Sequence, residues 1–305
     1  MEAAIGMTDE QTAAAEHAPD QAAPERGDWK DYFTDDGQQH TAVGTIRVLH
    51  GLHSAQLGNA RDILVYLPPR YHESNRRYPV IYMHDGQNLF DRATSFGDEW
   101  EVDQTLEQAA DEGLEAIVVG IPNIGPERLN EYGPWHEHKH KAGGKGDAYL
   151  RFVIDTVKPI IDRDFRTRPG RESTGIAGSS MGGLISLYAF FKHSGVFGFA
   201  GVMSPALWFG GRQVYGWMQD RQYVPGRLYL DVGTAEGGEE MHDVRRMKDL
   251  LTRKGYVEGR DLMFVVEMGG RHNERAWARR LRRELHFLLG VPPKEAPRVH
   301  REPPL

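Results

Sequence analysis

The chain contains no cysteine, which excludes disulfides, thiolate zinc sites and a cysteine nucleophile. No apolar run approaches the ~18 residues that a membrane-spanning helix needs. A basic excess is also missing: 37 Lys and Arg stand against 44 Asp and Glu, a formal net charge of −7. With no net basic field to recruit phosphates, a nucleic-acid partner is not expected. Residues 1–25 carry neither a basic leader nor an extended apolar run, which reads against a signal peptide. The expectation is a soluble, cytoplasmic protein with no membrane partner. Core-forming material, by contrast, is plentiful. A hydrophobic fraction of 39% over 305 residues is enough to build one large α/β domain.

Residues 1–36 are polar and interrupted by Pro19, Pro24 and Gly27, and read as a disordered or loosely attached tail. The folded domain is expected over 37–291, followed by a Pro-rich tail over 292–305. Val43–Leu52 and Arg61–Leu67 alternate and are rich in β-branched residues. With turn residues at 57–60 between them, they predict an antiparallel N-terminal strand pair. Further on, strands are expected at Pro79–His84, Glu115–Ile121, Thr174–Gly178, Phe199–Met203, Arg227–Val232 and Asp261–Glu267. Helices are expected at Asp98–Asp111, Asp147–Asp164 (with Pro159 as a potential kink), Met181–His193, Met241–Lys254 and Asn273–Leu289. Alternation of this kind predicts an α/β fold, a mainly parallel central sheet with helices on both faces.

Gly178-Ser179-Ser180-Met181-Gly182-Gly183 contains the pattern Gly-x-Ser-x-Gly centred on Ser180. It lies between the strand STGIAG and the helix LISLYAFF, the strand-to-turn-to-helix setting of a nucleophile elbow. Such a turn lifts the serine hydroxyl out of the sheet and leaves the Met181 N–H free to hold an oxyanion. The flanking glycines fit because side chains there would collide within the turn.

A serine hydroxyl needs a base, and near neutral pH that base is usually histidine. Of the histidines beyond Ser180, His193 closes a helix, His286 lies inside the last helix and His300 lies in the tail. His272 follows the strand LMFVVE and Gly269-Gly270-Arg271, directly before a helix. That is the carboxyl edge of the sheet, where open α/β folds bind ligands. The acid should precede it, also beyond a strand end. Glu236 lies in the loop after RLYLDV and is preferred, with Asp231, inside that strand, second.

Six segments are similar, in order and spacing, to the α/β-hydrolase esterase family that includes enterochelin and other siderophore esterases, feruloyl and acetylxylan esterases, esterase D and the mycolyltransferases. They are YMHDGQNLFD (82–91), RLNEYGPW (128–135), GDAYLRFVIDTVKPIID (146–162), GSSMGG (178–183), LDVGTAEG (230–237) and GGRHNERAW (269–277). The resemblance implies the α/β-hydrolase fold, with Ser180, His272 and Glu236 as the catalytic triad. It also implies the N–H of Gln87, after the His-Asp-Gly turn, as second oxyanion donor beside Met181. Arg128, Glu131 and Tyr132 are implied at the pocket entrance.

Other features have plainer readings. His136, His138 and His140 sit in a Lys- and Gly-rich stretch that reads as an exposed loop rather than a metal site. Arg279, Arg280, Arg282 and Arg283 read as the solvated side of the last helix, opposite Trp277, Leu281, Leu285 and Leu288. Trp100, Trp135 and Trp208 fit core packing as well as an aromatic pocket floor. The chain thus reads as a serine carboxylic-ester hydrolase acting on a small or aromatic, siderophore-type ester, without cofactor or metal. An acyltransferase of the same family would share every catalytic part, and a binding protein on the same fold would retain none of the chemistry.

Overall fold

The computed structural model describes residues 27–32 and 39–292. The strands begin with Lys30–Asp31 (β1), Thr45–Ser54 (β2), Asn59–Leu67 (β3), Val80–His84 (β4) and Ile117–Ile121 (β5). A short ribbon follows, His136–Glu137 (β6) with Ala142–Gly143 (β7), and then Thr174–Ser179 (β8), Phe199–Met203 (β9), Arg227–Gly233 (β10) and Leu262–Glu267 (β11). The helices are Val102–Ala109 (α1), Arg128–Tyr132 (α2), Gly146–Arg151 (α3), Lys158–Asp164 (α4), Met181–Lys192 (α5), Gln213–Gln219 (α6), Gly238–Arg253 (α7) and Glu274–Leu289 (α8).

All strands except the ribbon join one nine-stranded sheet in the order β1-β2-β3-β5-β4-β8-β9-β10-β11. From β5 to β11 every neighbouring pair is parallel, whereas β1, β2 and β3 pair antiparallel. Strands buried on both faces read as continuous apolar runs, and every residue of β4 and β5 is buried. Alternation divides each strand between two cores. Val80, Tyr82, Ile176, Val202 and Leu230 pack with residues of α3, α5 and α7. Ile81, Met83, Ala177 and Tyr229 pack with Leu106 of α1 and Trp277, Leu281 and Leu285 of α8. No helix among the described residues is long and apolar enough to cross a membrane.

The α/β architecture and the antiparallel N-terminal pair are as the sequence predicts, with local differences. The β2–β3 turn falls at 55–58, closed by Gly58 N–H on the Ser54 carbonyl. The helix expected over 147–164 runs as α3, a π-helical stretch Phe152–Val157 and α4. Pro159 has no N–H to donate to the carbonyl of Asp155, and the ladder widens on the turn before it. Helix α1 starts at Val102, later than expected, because Trp100 N–H donates to the Asn88 carbonyl. Within the segment read as a tail, residues 27–32 are docked. Lys30 and Asp31 pair with β2, and Trp29 donates from Nε1 to Asp164 at 2.9 Å and meets Phe165 edge-on. The rest of the 1–36 segment and residues 293–305 lie outside the described residues.

Candidate active site

Strand β8 is buried throughout and leads into Ser180, whose φ of 56° and ψ of −119° lie where residues with a side chain rarely go. The turn is held on both sides. Ser180 N–H donates to the Met203 carbonyl, and the Ser180 carbonyl accepts from Leu184 and Ala206. Gly178 leaves no room for a side chain, since a Cβ there would lie 2.9 Å from the His84 ring and 3.0 Å from the Gly182 backbone. Met181, buried, opens α5 directly after the serine.

His272 lies between β11 and α8, its ring edge-on to Trp277 with centroids 5.1 Å apart. Its Nδ1 is 3.0 Å from Glu236 Oε2. An ionised carboxylate only accepts, so Nδ1 carries the proton and Nε2 is left as the basic nitrogen. The Glu236 carboxylate is fully buried. Burial alone would raise its pKa, but hydrogen bonds from His272, Ser204 Oγ–H and Gly233 N–H outweigh it and hold the group below its ordinary value.

Asp231 sits elsewhere. It points to the α8 face of β10, accepts from Ser204 N–H at 2.9 Å and lies 3.2 Å from Arg280 Nε. Its full burial pushes the carboxyl up to about 7 despite the arginine. Arg280, read from sequence as solvated, is in fact 3% exposed. The face of α8 that carries Trp277, Leu281 and Leu285 also carries Arg280 and Glu284 inward.

Ser180, His272 and Gln87 line one cavity of about 770 Å³ together with Arg128, Trp100 and Trp277. Gln87 follows β4, and its side chain accepts from Asn123 N–H at 3.1 Å. The Gln87 carbonyl accepts from Thr94 Oγ at 2.7 Å, so the turn is pinned on two sides. Arg128 is clamped to Asp85 by bonds of 2.7 and 2.8 Å. Burial opposes ionisation of Asp85, but the Arg128 guanidinium overcomes it and keeps the carboxyl below its usual range. Glu131 and Tyr132, expected at the entrance, are fully buried and do not line the cavity. Glu131 makes a buried two-point pair with Arg61 at 2.8 Å, and the Tyr132 hydroxyl accepts from Asp85 N–H. Trp100 stacks at a tilt on Trp277 within the cavity wall. A larger cleft of about 1000 Å³ runs along α8 and β11. Arg227, Arg260, Arg279, Arg282 and Arg283 line it beside Met263, Phe287 and Val291, and it includes none of the residues above. Among the described residues no three metal-ligating side chains converge, and His136 and His138 simply meet edge to face.

The sequence also matches a family model described as "Putative esterase" over residues 54–288, a span that contains the whole cavity. The chain belongs to this esterase family. Family membership supports hydrolysis of esters. A protein of Bacillus subtilis (strain 168) named Uncharacterized protein YbbA is 28% identical over 252 residues, which is 78% of this chain and 96% of that one. A siderophore enterobactin esterase of Emericella nidulans is 25% identical over 193 residues, covering 57% of this chain and 62% of its own. Among solved structures, the enterobactin esterase FES of Shigella flexneri superposes with a TM-score of 0.65 at 18% identity, over 81% of this chain and 60% of that one. At that identity the likeness is one of fold, and the fold is that of α/β-hydrolase esterases.

Proposed function

We propose that this esterase is a serine carboxylic-ester hydrolase working through an acyl-enzyme. The observation that carries the reading is the Glu236–His272 hydrogen bond at 3.0 Å, made by a histidine that lines one cavity with Ser180 on its strained turn. Ser180 Oγ attacks the ester carbonyl while its proton passes to His272 Nε2. Glu236 orients the ring and stabilises the imidazolium. The N–H groups of Gln87 and Met181 hold the tetrahedral oxyanion. Collapse expels the alcohol, which takes the proton from His272. Water then repeats the sequence on the acyl group, releasing the acid and restoring Ser180. The tryptophan wall suits a small or aromatic ester, a class that includes siderophore-type esters.

Two measurements test this. A fluorophosphonate should label the intact protein at Ser180 and leave Ser180→Ala unlabelled. Ser180→Ala should keep its melting temperature and lose turnover of aryl and siderophore-type esters by about 10⁴ or more. Near-native turnover in the purified variant would end the reading.

A further inference from the structure

We propose that Ser204 and Arg280 are positioning residues, which lock the Glu236 carboxylate in the orientation that faces His272. The proposal rests on the triad reading above. Ser204 directly follows β9 and is held at a φ of 40°, a conformation that needs surrounding support in a residue with a side chain. Its Oγ lies 2.7 Å from Glu236 Oε1, 3.0 Å from Trp277 Nε1 and 3.1 Å from Arg280 Nη2. The tryptophan and arginine nitrogens can only donate. They occupy the lone pairs of the hydroxyl, so its one proton is committed to Glu236. Oε1 also receives Gly233 N–H at 2.7 Å. With Oε1 filled from behind, Oε2 is the oxygen left for His272.

Arg280 is the cation of this cluster. Its guanidinium is buried and lies 3.2 Å from Asp231, 3.5 Å from Glu236 and 3.6 Å from Glu267. Behind them the Glu284 carboxylate has no hydrogen-bond partner among the described residues. It fills the slot that Gly201 leaves open, where a Cβ would fall 1.5 Å from Oε1. Burial drives the Asp231 and Glu284 carboxyls towards their neutral forms. Glu236 differs from both in having donors on each oxygen, and it keeps its charge. The arrangement places the negative charge on the one carboxylate that touches the base.

The test is a mutant cycle in the full chain, read as kcat and KM on one aryl ester. Ser204→Ala should lower kcat by roughly ten- to a hundredfold, the scale of one lost hydrogen bond to a charged group, with KM within about twofold. In a Glu236→Gln background the same change should lower kcat no further, because both substitutions remove one function. Arg280→Gln should behave like Ser204→Ala, and Arg280→Lys should recover part of the loss. Should Arg280→Gln not fold, the Ser204 cycle decides alone. A native kcat in Ser204→Ala beside a disabled Glu236→Gln overturns this proposal and leaves the triad standing, as do losses that multiply in the double variant. A native kcat in Glu236→Gln overturns both.

Discussion

Asp231 and Glu236 share one arginine and one serine, yet their surroundings shift the two carboxyls in opposite directions. Glu236 accepts from side chains and backbone on both oxygens. Asp231 has one backbone donor and an arginine that it shares. In Glu236→Gln the amide presents an N–H₂ group or a weaker acceptor to His272, so the imidazole loses its enforced tautomer. Turnover at neutral pH should fall by up to ~10⁴, the scale of that change in serine proteases. Burial shifts Asp231 towards its protonated form, which Asp231→Asn resembles, so this variant should keep turnover within about tenfold. Steady-state rates of the two folded variants check the pair; the opposite ranking would exchange their roles. Ser180, His272 and Glu236 were legible because each stands in a glycine-bearing loop beyond a strand. Ser204 belongs to no motif, and its partners come from α8 and the loop after β10. Arg280 and Glu284 fall with Trp277, Leu281 and Leu285 on one helical stripe. That stripe was the available signal, but two charges within it read as solvated until the facing sheet is known to offer the Gly201 slot and a buried hydroxyl.

At the scale of elements, alternation of strand and helix was legible because long apolar runs and amphipathic stripes carry it. Short elements were not. The ribbon β6–β7, helices α2 and α6 and strand β1 span too few residues for a period, and tertiary contacts decide them. Strand β1 is the clearest case: Lys30–Asp31 is exposed, and the apolar anchor is Trp29 just before it. That ring packs on Phe165 at a centroid distance of 4.9 Å, and its Nε1 joins Gly27 N–H on Asp164. Trp29→Ala should therefore destabilise the fold by about 2 kcal/mol, roughly half the cost of truncating a fully buried aromatic. The melting temperature should drop by about 4–8 °C, with kcat unchanged, since the contact lies away from the cavity. A melting temperature equal to that of the parent would show that this strand adds nothing to the body.

The charges buried across the whole molecule set how its stability responds to pH. Burial raises the carboxyls of Asp231 and Asp103 to about 7, and raises those of Glu99, Glu274 and Glu284 as well. A carboxyl whose pKa is higher in the folded chain favours folding while it is protonated and loses that contribution as pH climbs through the folded value. Between about pH 5.5 and pH 8, Asp231 and Asp103 should each withdraw on the order of 2 kcal/mol. His84 and His193 act in the other direction. Burial lowers His84 to about 3 and lowers His193 as well, so both stabilise above their unfolded values and give that up as pH falls, His84 at roughly 1 kcal/mol by pH 5.5. The partnered carboxylates Asp85, Asp91 and Glu236 are lowered, and their loss belongs to still more acid solution. The raised acids therefore outweigh the two histidines in this window, and the melting temperature should fall from about pH 5.5 to pH 8. Asp103 tests this apart from turnover, because it anchors Val43 N–H at 2.6 Å beside Glu99 and stands outside the cavity. Asp103→Asn should flatten the slope of melting temperature against pH while leaving the pH profile of turnover in place. A parent protein whose melting temperature is level or rising across that window would show that these acids are ionised in the folded chain.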